Sequence, residues 1–184
     1  MLTGLLRDWL IKRFSAPEYL TDPDLRGAIW HEDPPTGILI ETQHRWRPEL
    51  VEKRPAVILK RNAMQRLALG IGDRLRTDER GQVRYCAAWV GSHTAFCING
   101  TGAATEILTA EVVAHLSMYA PALRYQLGLM DLAVVEVGEV AELEEAKEHF
   151  VAPVTVGWAY TQDWFLELES LKLRTVALQT ALHC

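Results

Sequence analysis

Cysteine, long hydrophobic runs and clustered basic residues are all scarce in this chain of 184 residues. Three cysteines, Cys86, Cys97 and Cys184, cannot supply the disulfide framework of a small secreted domain. The apolar start, MLTGLLRDWLIKRF, is interrupted by four charged residues, and it is too short and too charged for a signal peptide or a membrane span. We therefore expect a protein that is made in a cytoplasm and does not cross a membrane.

The chain also lacks the basic excess of a nucleic-acid-binding protein. It has 19 Lys and Arg against 24 Asp and Glu, a net charge of −5. Proteins that grip the phosphate backbone usually carry a basic surface or stripe, so a general DNA-binding role is not expected. A local basic group leaves a smaller patch open as an alternative: Arg45, Arg47, Lys53, Arg54, Lys60 and Arg61.

Catalytic, nucleotide and metal motifs are missing as well. The six histidines have no HxH, HxxxH or HExxH spacing, and no G-x-S-x-G sequence occurs. The stretch NGTGAATE lies in a strand-to-helix context, but it lacks both G-x-G-x-x-G and a GK[ST] ending. Cys86, His93 and Cys97 could meet at one turn and hold zinc, although strand geometry points the two thiols away from it. We expect no enzyme activity, no cofactor and no metal.

What is present is the patterning of a single α+β domain over residues 1–184. An apolar face predicts an N-terminal helix within residues 1–14, followed by an irregular segment over 15–36 with a short helix around 22–28. Alternation in GILIETQ and the apolar run PAVILKR predict two strands. The polar residues between them predict a projecting loop over 43–54, and turn signals predict low strand content from Asn62 to Gln82.

The segment VRYCAAWVGSHTAFCING reads as two strands around a turn at Gly91 and Ser92. In that hairpin Cys86 faces Cys97. A reduced pair of small apolar side chains is the favoured interpretation, with a disulfide or a redox role as the alternative.

A long helix is the strongest prediction, over about 101–129, with Thr101 or Gly102 as its cap and Gly128 at its end. Pro121 is expected to kink or end it. Strands follow in DLAVVEVGEVAEL and in VTVGWAYT. The element order predicts a mostly antiparallel or mixed β-sheet with the long helix packed on one face.

Aromatic residues in predicted loops are the remaining signal. Trp46 lies between Arg45 and Arg47, and Trp164 follows Asp163. Tryptophan and arginine are enriched at protein interfaces because they bury large areas while bonding at one end. These five residues are the candidate subunit or partner interface. A core or lid position is the alternative interpretation for each tryptophan.

In the order of its predicted elements and in several short sequence stretches, the chain resembles the tail terminator proteins of long-tailed bacteriophages, also called tail completion or neck proteins. The resemblance covers most of the chain from about Gly37 and rests on GILIETQHRW, RPAVILKR, TEILTAEVVAHLSMYAPALR and APVTVGWAYTQDWFLELESLKLRTVAL. It implies that Asp163 and Trp164 end one strand. The stretch FLELESLK would then lead to a final strand around 171–177.

The same resemblance implies a structural virion protein that forms a homo-oligomeric ring, commonly a hexamer, on the last ring of tail tube protein. Such a ring stops tube growth, presents a surface to the head-side connector and lets DNA pass through its lumen. An acidic lumen would agree with the net charge of −5. The protein would occur in the host cytoplasm during assembly and in the tail or neck of the virion. Loops 43–54 and 70–83 are the candidates for docking.

Three alternatives accompany this interpretation. The first is another neck, head-completion or baseplate connector. The second is a small-molecule enzyme, which a deep pocket gathering His93, Cys86 or His115 would favour. The third is a DNA-binding protein, which a basic patch would favour.

Overall fold

The computed structural model describes residues 2–31, 37–44, 55–68, 73–77, 82–143 and 148–166. Within them lie two α-helices, α1 (Leu2–Arg13) and α2 (Gly102–Leu127), and two 3-10 helices, Pro17–Tyr19 and Pro23–Gly27. The strands are β1 (Leu39–Thr42), β2 (Ala56–Ala68), β3 (Arg74–Thr77), β4 (Val83–Asn99), β5 (Asp131–Val137), β6 (Ala141–Glu142) and β7 (Phe150–Leu166).

The described strands form one mixed sheet in the order β1-β2-β4-β7-β5, with β3 paired to β4 and β6 paired to β7. β1 and β2 run parallel, with Leu39 opposite Ala56, whereas β3 and β6 pair antiparallel with their neighbours. The predicted α+β class, with a mixed sheet, an N-terminal helix and a long helix, is confirmed. No helix in the described part of the chain is long and apolar enough to cross a membrane.

Helix α2 has the ends that its sequence predicts. The Thr101 side chain accepts a hydrogen bond from the Ala104 amide, and Gly128 ends the helix in the left-handed conformation, at φ 63°. Pro121 lies inside the helix and does not end it. The short helix expected around 22–28 is also present, with the Asp22 side chain accepting from the Asp24 amide.

The chain divides into two compact units. The first, the core unit, comprises Met1–Ala63 with Gly91–Trp158, and the second, the strand-end unit, comprises Met64–Val90 with Ala159–Cys184. All three boundaries fall within long strands, since β2, β4 and β7 each contribute residues to both units. The prediction of a single domain over residues 1–184 stays a prediction.

Buried apolar side chains of the core unit lie on both faces of its strands. Ala56, Ile58 and Ile98 form one cluster, with Leu39 and Val151 packed against it. Cys97 points the other way, towards the α2 hydroxyl of Thr109, to which it is hydrogen-bonded. The predicted alternation in β7 is confirmed as far as Trp158, because Val154, Val156 and Trp158 are all buried. Tyr160 was expected on the same buried face, but it is only partly buried.

The predicted hairpin at Gly91 and Ser92 is wrong. β4 runs without interruption from Val83 to Asn99, so Cys86 and Cys97 lie eleven residues apart on one strand (97 − 86) and not opposite each other. Both thiols are free. Gly91 is needed for close approach and not for a turn, because a Cβ there would lie 2.5 Å from Cζ2 of the Trp158 indole.

Two other strand ends also differ from prediction. β2 continues to Ala68, although Asn62 and the residues after it were expected to have low strand content. Its Asn62 amide donates to both Ser92 and Thr94 on β4, which holds the strand in register. β7 continues through Asp163 and Trp164 to Leu166, so these two residues do not end a strand. Part of the loop predicted over 70–83 is strand β3, whose Arg74 pairs with Tyr85.

Candidate functional site

Of the five predicted interface residues, the structure describes Asp163 and Trp164. Arg45, Trp46 and Arg47 lie outside the described residues. Most of the predicted loop 43–54 and the strand expected around 171–177 lie outside them as well. Asp163 forms an ion pair with Arg84 of β4. Trp164 stacks on Tyr85, with ring centroids 5.6 Å apart and planes inclined by 12°. Neighbouring residues on a strand point to opposite faces. The ion pair and the stack therefore lie on opposite faces of the strand-end unit.

Cys86 belongs to the same cluster of the strand-end unit as Asp163. A hydrogen bond to the Asp163 carboxylate, together with burial, raises the pKa of the Cys86 thiol. The bonds from Cys86 and from Arg84 lower the pKa of Asp163. Because the thiolate is the reactive form of cysteine, this environment keeps Cys86 protonated and poorly nucleophilic at neutral pH.

The core unit carries an exposed apolar surface that the sequence analysis did not single out. Val135 and Val137, on the same face of strand β5, are 62% and 50% exposed. Among the described strands β5 ends the sheet order and is therefore an edge strand, and the unpaired backbone groups of such an edge can pair with another chain. Met118 and Tyr125 of α2 are also exposed, Tyr125 by 89%. The alternation in DLAVVEV gives the two faces of β5, but only the sheet order makes it an edge.

His93 lies in a closed hydrogen-bond network of the core unit. The Trp158 indole N–H donates to His93 Nδ1 at 2.9 Å, so Nδ1 is an acceptor and the neutral ring carries its proton on Nε2. Nε2 lies 2.9 Å from the Thr3 hydroxyl, to which it donates. Burial, assisted by the charge of Arg61, lowers the pKa of His93 to about 4. Both ring nitrogens are engaged, which is the arrangement of a structural histidine.

His115 lines a pocket between α1 and α2, also in the core unit. The pocket has a volume of about 470 Å³ and is lined mainly by Trp9, Lys12, Arg13, Tyr19, His115 and Tyr119. His115 is 5% exposed, and burial, with a smaller contribution from the charge of Arg13, lowers its pKa to about 4. A deep pocket gathering His93, Cys86 or His115 would favour an enzyme. Of these three residues, the pocket between α1 and α2 contains His115. His93 and Cys86 lie elsewhere.

A buried ion pair connects the elements that form this pocket. Glu111 of α2, with a side chain 2% exposed, lies 2.6 Å from the Arg13 guanidinium of α1. Its second oxygen accepts a hydrogen bond from the Thr21 amide at 3.1 Å, and the Arg13 guanidinium also donates to the Thr21 hydroxyl. The contacts join α1, α2 and the segment after the first 3-10 helix, so they fix the geometry of the pocket.

Metal ligation finds no support in the residues that the structure describes, among which no cluster of three or more His, Cys, Asp or Glu side chains occurs. The zinc alternative required Cys86, His93 and Cys97 to converge at a turn, and the continuous strand β4 prevents this. Burial raises the pKa of Cys97 to about 12, which also disfavours the thiolate that zinc would require.

No protein-family model matches the chain, and no curated protein matches it in sequence.

Proposed function

We propose that this protein is a virion assembly protein that forms a homo-oligomeric ring, commonly a hexamer, which caps a phage tail tube. The ring ends polymerisation of the tube protein and presents a surface to the head-side connector. Two things support the proposal: the likeness of the sequence to tail terminator proteins, and the exposed apolar edge of the core unit. The exposed apolar edge is the structural observation on which the proposal rests.

That edge has the properties of a protein contact. Val135 and Val137 place two neighbouring valine side chains of one β5 face in solvent, 62% and 50% exposed, on a strand that also exposes the charges of Asp131 and Glu136. Exposed apolar patches of this kind mark interaction sites. A closed ring needs two different complementary patches on each subunit. Met118 and Tyr125 of α2 are the candidates for the second one.

Charge agrees with a ring through which DNA passes without binding. The net charge is −5. Among the described residues from β5 to the start of β7, five acidic ones are exposed: Asp131, Glu136, Glu139, Glu142 and Glu148. Acidic side chains repel the phosphate backbone. A stand-alone DNA-binding role is disfavoured by the same observation.

The first experiment is immunogold electron microscopy of purified phage particles from cells that produce this chain, with antibody raised against the purified protein. Label at the head-proximal end of the tail tube would support the terminator function. Label at the baseplate or the portal would reject it and favour another connector. Virions without label would reject an assembly role in the particle.

A matched pair of variants tests the edge itself. Val135→Lys with Val137→Lys places two charges on the apolar face, whereas Glu136→Lys changes charge on the opposite face of the same strand. We expect the first variant to remain folded and to lose ring formation by native mass spectrometry, alone or with tube protein, and the second to retain it. Equal behaviour of the two would reject β5 as the ring contact.

A further inference from the structure

The pocket between α1 and α2 combines a concave shape, aromatic walls and cationic side chains. It is concave, with a volume of about 470 Å³, which lies in the range of small-molecule sites. Aromatic rings form its walls: Trp9 and Tyr119 meet edge to face at 5.0 Å, and Tyr119 meets His115 at 4.8 Å. Such rings present flat apolar surface at a fixed angle, which suits a planar ligand.

The charge of the pocket favours an anion. Two cations line it, Lys12 and Arg13. The Arg13 charge is neutralised by Glu111 at 2.6 Å, whereas no ion pair of Lys12 occurs within the described residues. Lys12 is exposed at the pocket, so its ammonium is available to a carboxylate.

His115 adds an unused hydrogen-bond acceptor. Its Nε2 lies 3.3 Å from the Trp9 carbonyl oxygen, which can only accept, so Nε2 carries the proton and Nδ1 has a free lone pair. That Nδ1 is buried and has no hydrogen-bond partner among the described residues. A buried polar atom without a partner is costly, and a ligand that donates to it gains affinity.

We infer that this pocket binds a small planar aromatic acid that also carries a hydroxyl or N–H donor. The ring packs against Trp9 and Tyr119, the carboxylate pairs with Lys12, and the donor bonds to His115 Nδ1. This inference does not depend on the proposed role in tail assembly. It involves binding only and no reaction.

Three probes separate the contributions in isothermal titration calorimetry of the full chain. 4-Hydroxybenzoate carries both polar groups, benzoate lacks the hydroxyl, and phenol lacks the carboxylate. We expect 4-hydroxybenzoate to bind about fivefold or more tightly than either of the others, since one charge-assisted contact or one buried hydrogen bond is worth about 1 kcal/mol. Equal affinities, or no binding of any probe at about 10 mM to the folded chain, would overturn the inference.

Variants assign the contacts. Lys12→Met is expected to weaken 4-hydroxybenzoate about fivefold and to leave phenol unchanged, whereas Lys60→Met, which changes a lysine on β2, is the matched control. His115→Phe keeps an aromatic ring and removes the acceptor, so the preference for 4-hydroxybenzoate over benzoate should vanish. Should that variant not fold, Tyr19→Leu replaces it, with Tyr125→Leu, at a tyrosine 89% exposed outside the pocket, as its control. Loss of affinity in a control equal to that in its partner variant would contradict the assignment.

Discussion

The core unit and the strand-end unit use similar strands but different means of stabilisation. The core unit buries large side chains such as Leu10, Phe14 and Leu108, and it encloses two neutral histidines and an ion pair. In the strand-end unit the buried apolar side chains among the described residues are small: Val83, Cys86, Ala87 and Ala88. Its described contacts include partly exposed ion pairs and an aromatic stack, each of which contributes less to stability than a buried ion pair. We therefore expect the two regions to respond very differently to equivalent substitutions.

The largest difference should come from removing one arginine in each unit. Arg13→Met leaves Glu111 buried without its cation, and we expect the free energy of unfolding to fall by about 3–5 kcal/mol. Arg84→Met removes a cation whose side chain is 33% exposed, with an expected loss of at most about 1 kcal/mol. Urea denaturation at neutral pH measures both. Similar losses in the free energy of unfolding would mean that burial does not make the Arg13–Glu111 pair more important for stability than the Arg84–Asp163 pair.

The double variant Arg13→Met with Glu111→Met serves as the control for the first substitution. Because it removes both charges, it should recover much of the stability lost in Arg13→Met. A double variant no more stable than the single one would attribute the loss to packing.

Acidification should weaken the core unit next. His93 and His115 have pKa values of about 4 in the folded protein, below the ordinary value of 6.5. The unfolded chain therefore binds more protons between these values, and stability is lost as the pH falls from 6.5 towards 4. Between pH 7 and 5.5 we expect a loss of roughly 1 kcal/mol for each histidine. Urea denaturation at the two pH values measures it.

Two variants identify the source of that pH dependence. His93→Gln should reduce the loss between pH 7 and 5.5 by about half, because one of the two buried rings is removed. His44→Gln changes an exposed histidine and should leave the loss unchanged. An unchanged slope in His93→Gln would contradict the assignment.

The close approach of Gly91 to Trp158 predicts a smaller effect. In Gly91→Ala the new methyl group meets a buried indole at 2.5 Å, and either the ring or strand β4 must move. We expect destabilisation of about 2 kcal/mol, together with a changed Trp158 fluorescence spectrum. Gly100→Ala is the matched control, because a Cβ there meets nothing within 4 Å. Equal melting temperatures for the two variants would show that the Trp158 indole can move aside without a loss of stability.

The smallest effect should come from the aromatic stack of the strand-end unit. Trp164→Leu removes the partner of Tyr85, and we expect a loss of about 1 kcal/mol that is confined to that unit. Amide hydrogen exchange should accelerate over residues 83–90 and stay unchanged in α2. Acceleration of equal size in α2 would mean that the two units open together.

Local signals predicted the helices well. Thr101, Gly128 and Asp22 act through neighbours two to four residues away, so their roles can be identified from the sequence. Gly91 is different, because a glycine within an apolar run indicates either a turn or a close approach. Trp158 lies on another strand and decides between them. Likewise, Arg84 and Tyr85 on β4 engage Asp163 and Trp164, where the change in pattern had suggested a strand end.

The candidate sites divide in the same way. The sequence pointed to Asp163 and Trp164 as unusual, but the pocket at His115 draws on α1, α2 and a 3-10 helix, and no spacing in the sequence brings these together. The apolar face of β5 can be read from alternation alone, whereas its exposure depends on which elements cover that face in the folded chain.

By itself, the sequence determined the α+β class, both helices with their ends, and the alternation in β5 and β7, because these depend on periodicity and on residues close in the chain. Only the tertiary structure decided that β4 is one strand, that β5 is an edge, and that Trp9, Lys12 and His115 share a pocket. Each of those outcomes depends on pairing between segments far apart in sequence, and local propensity carries no information about such pairing.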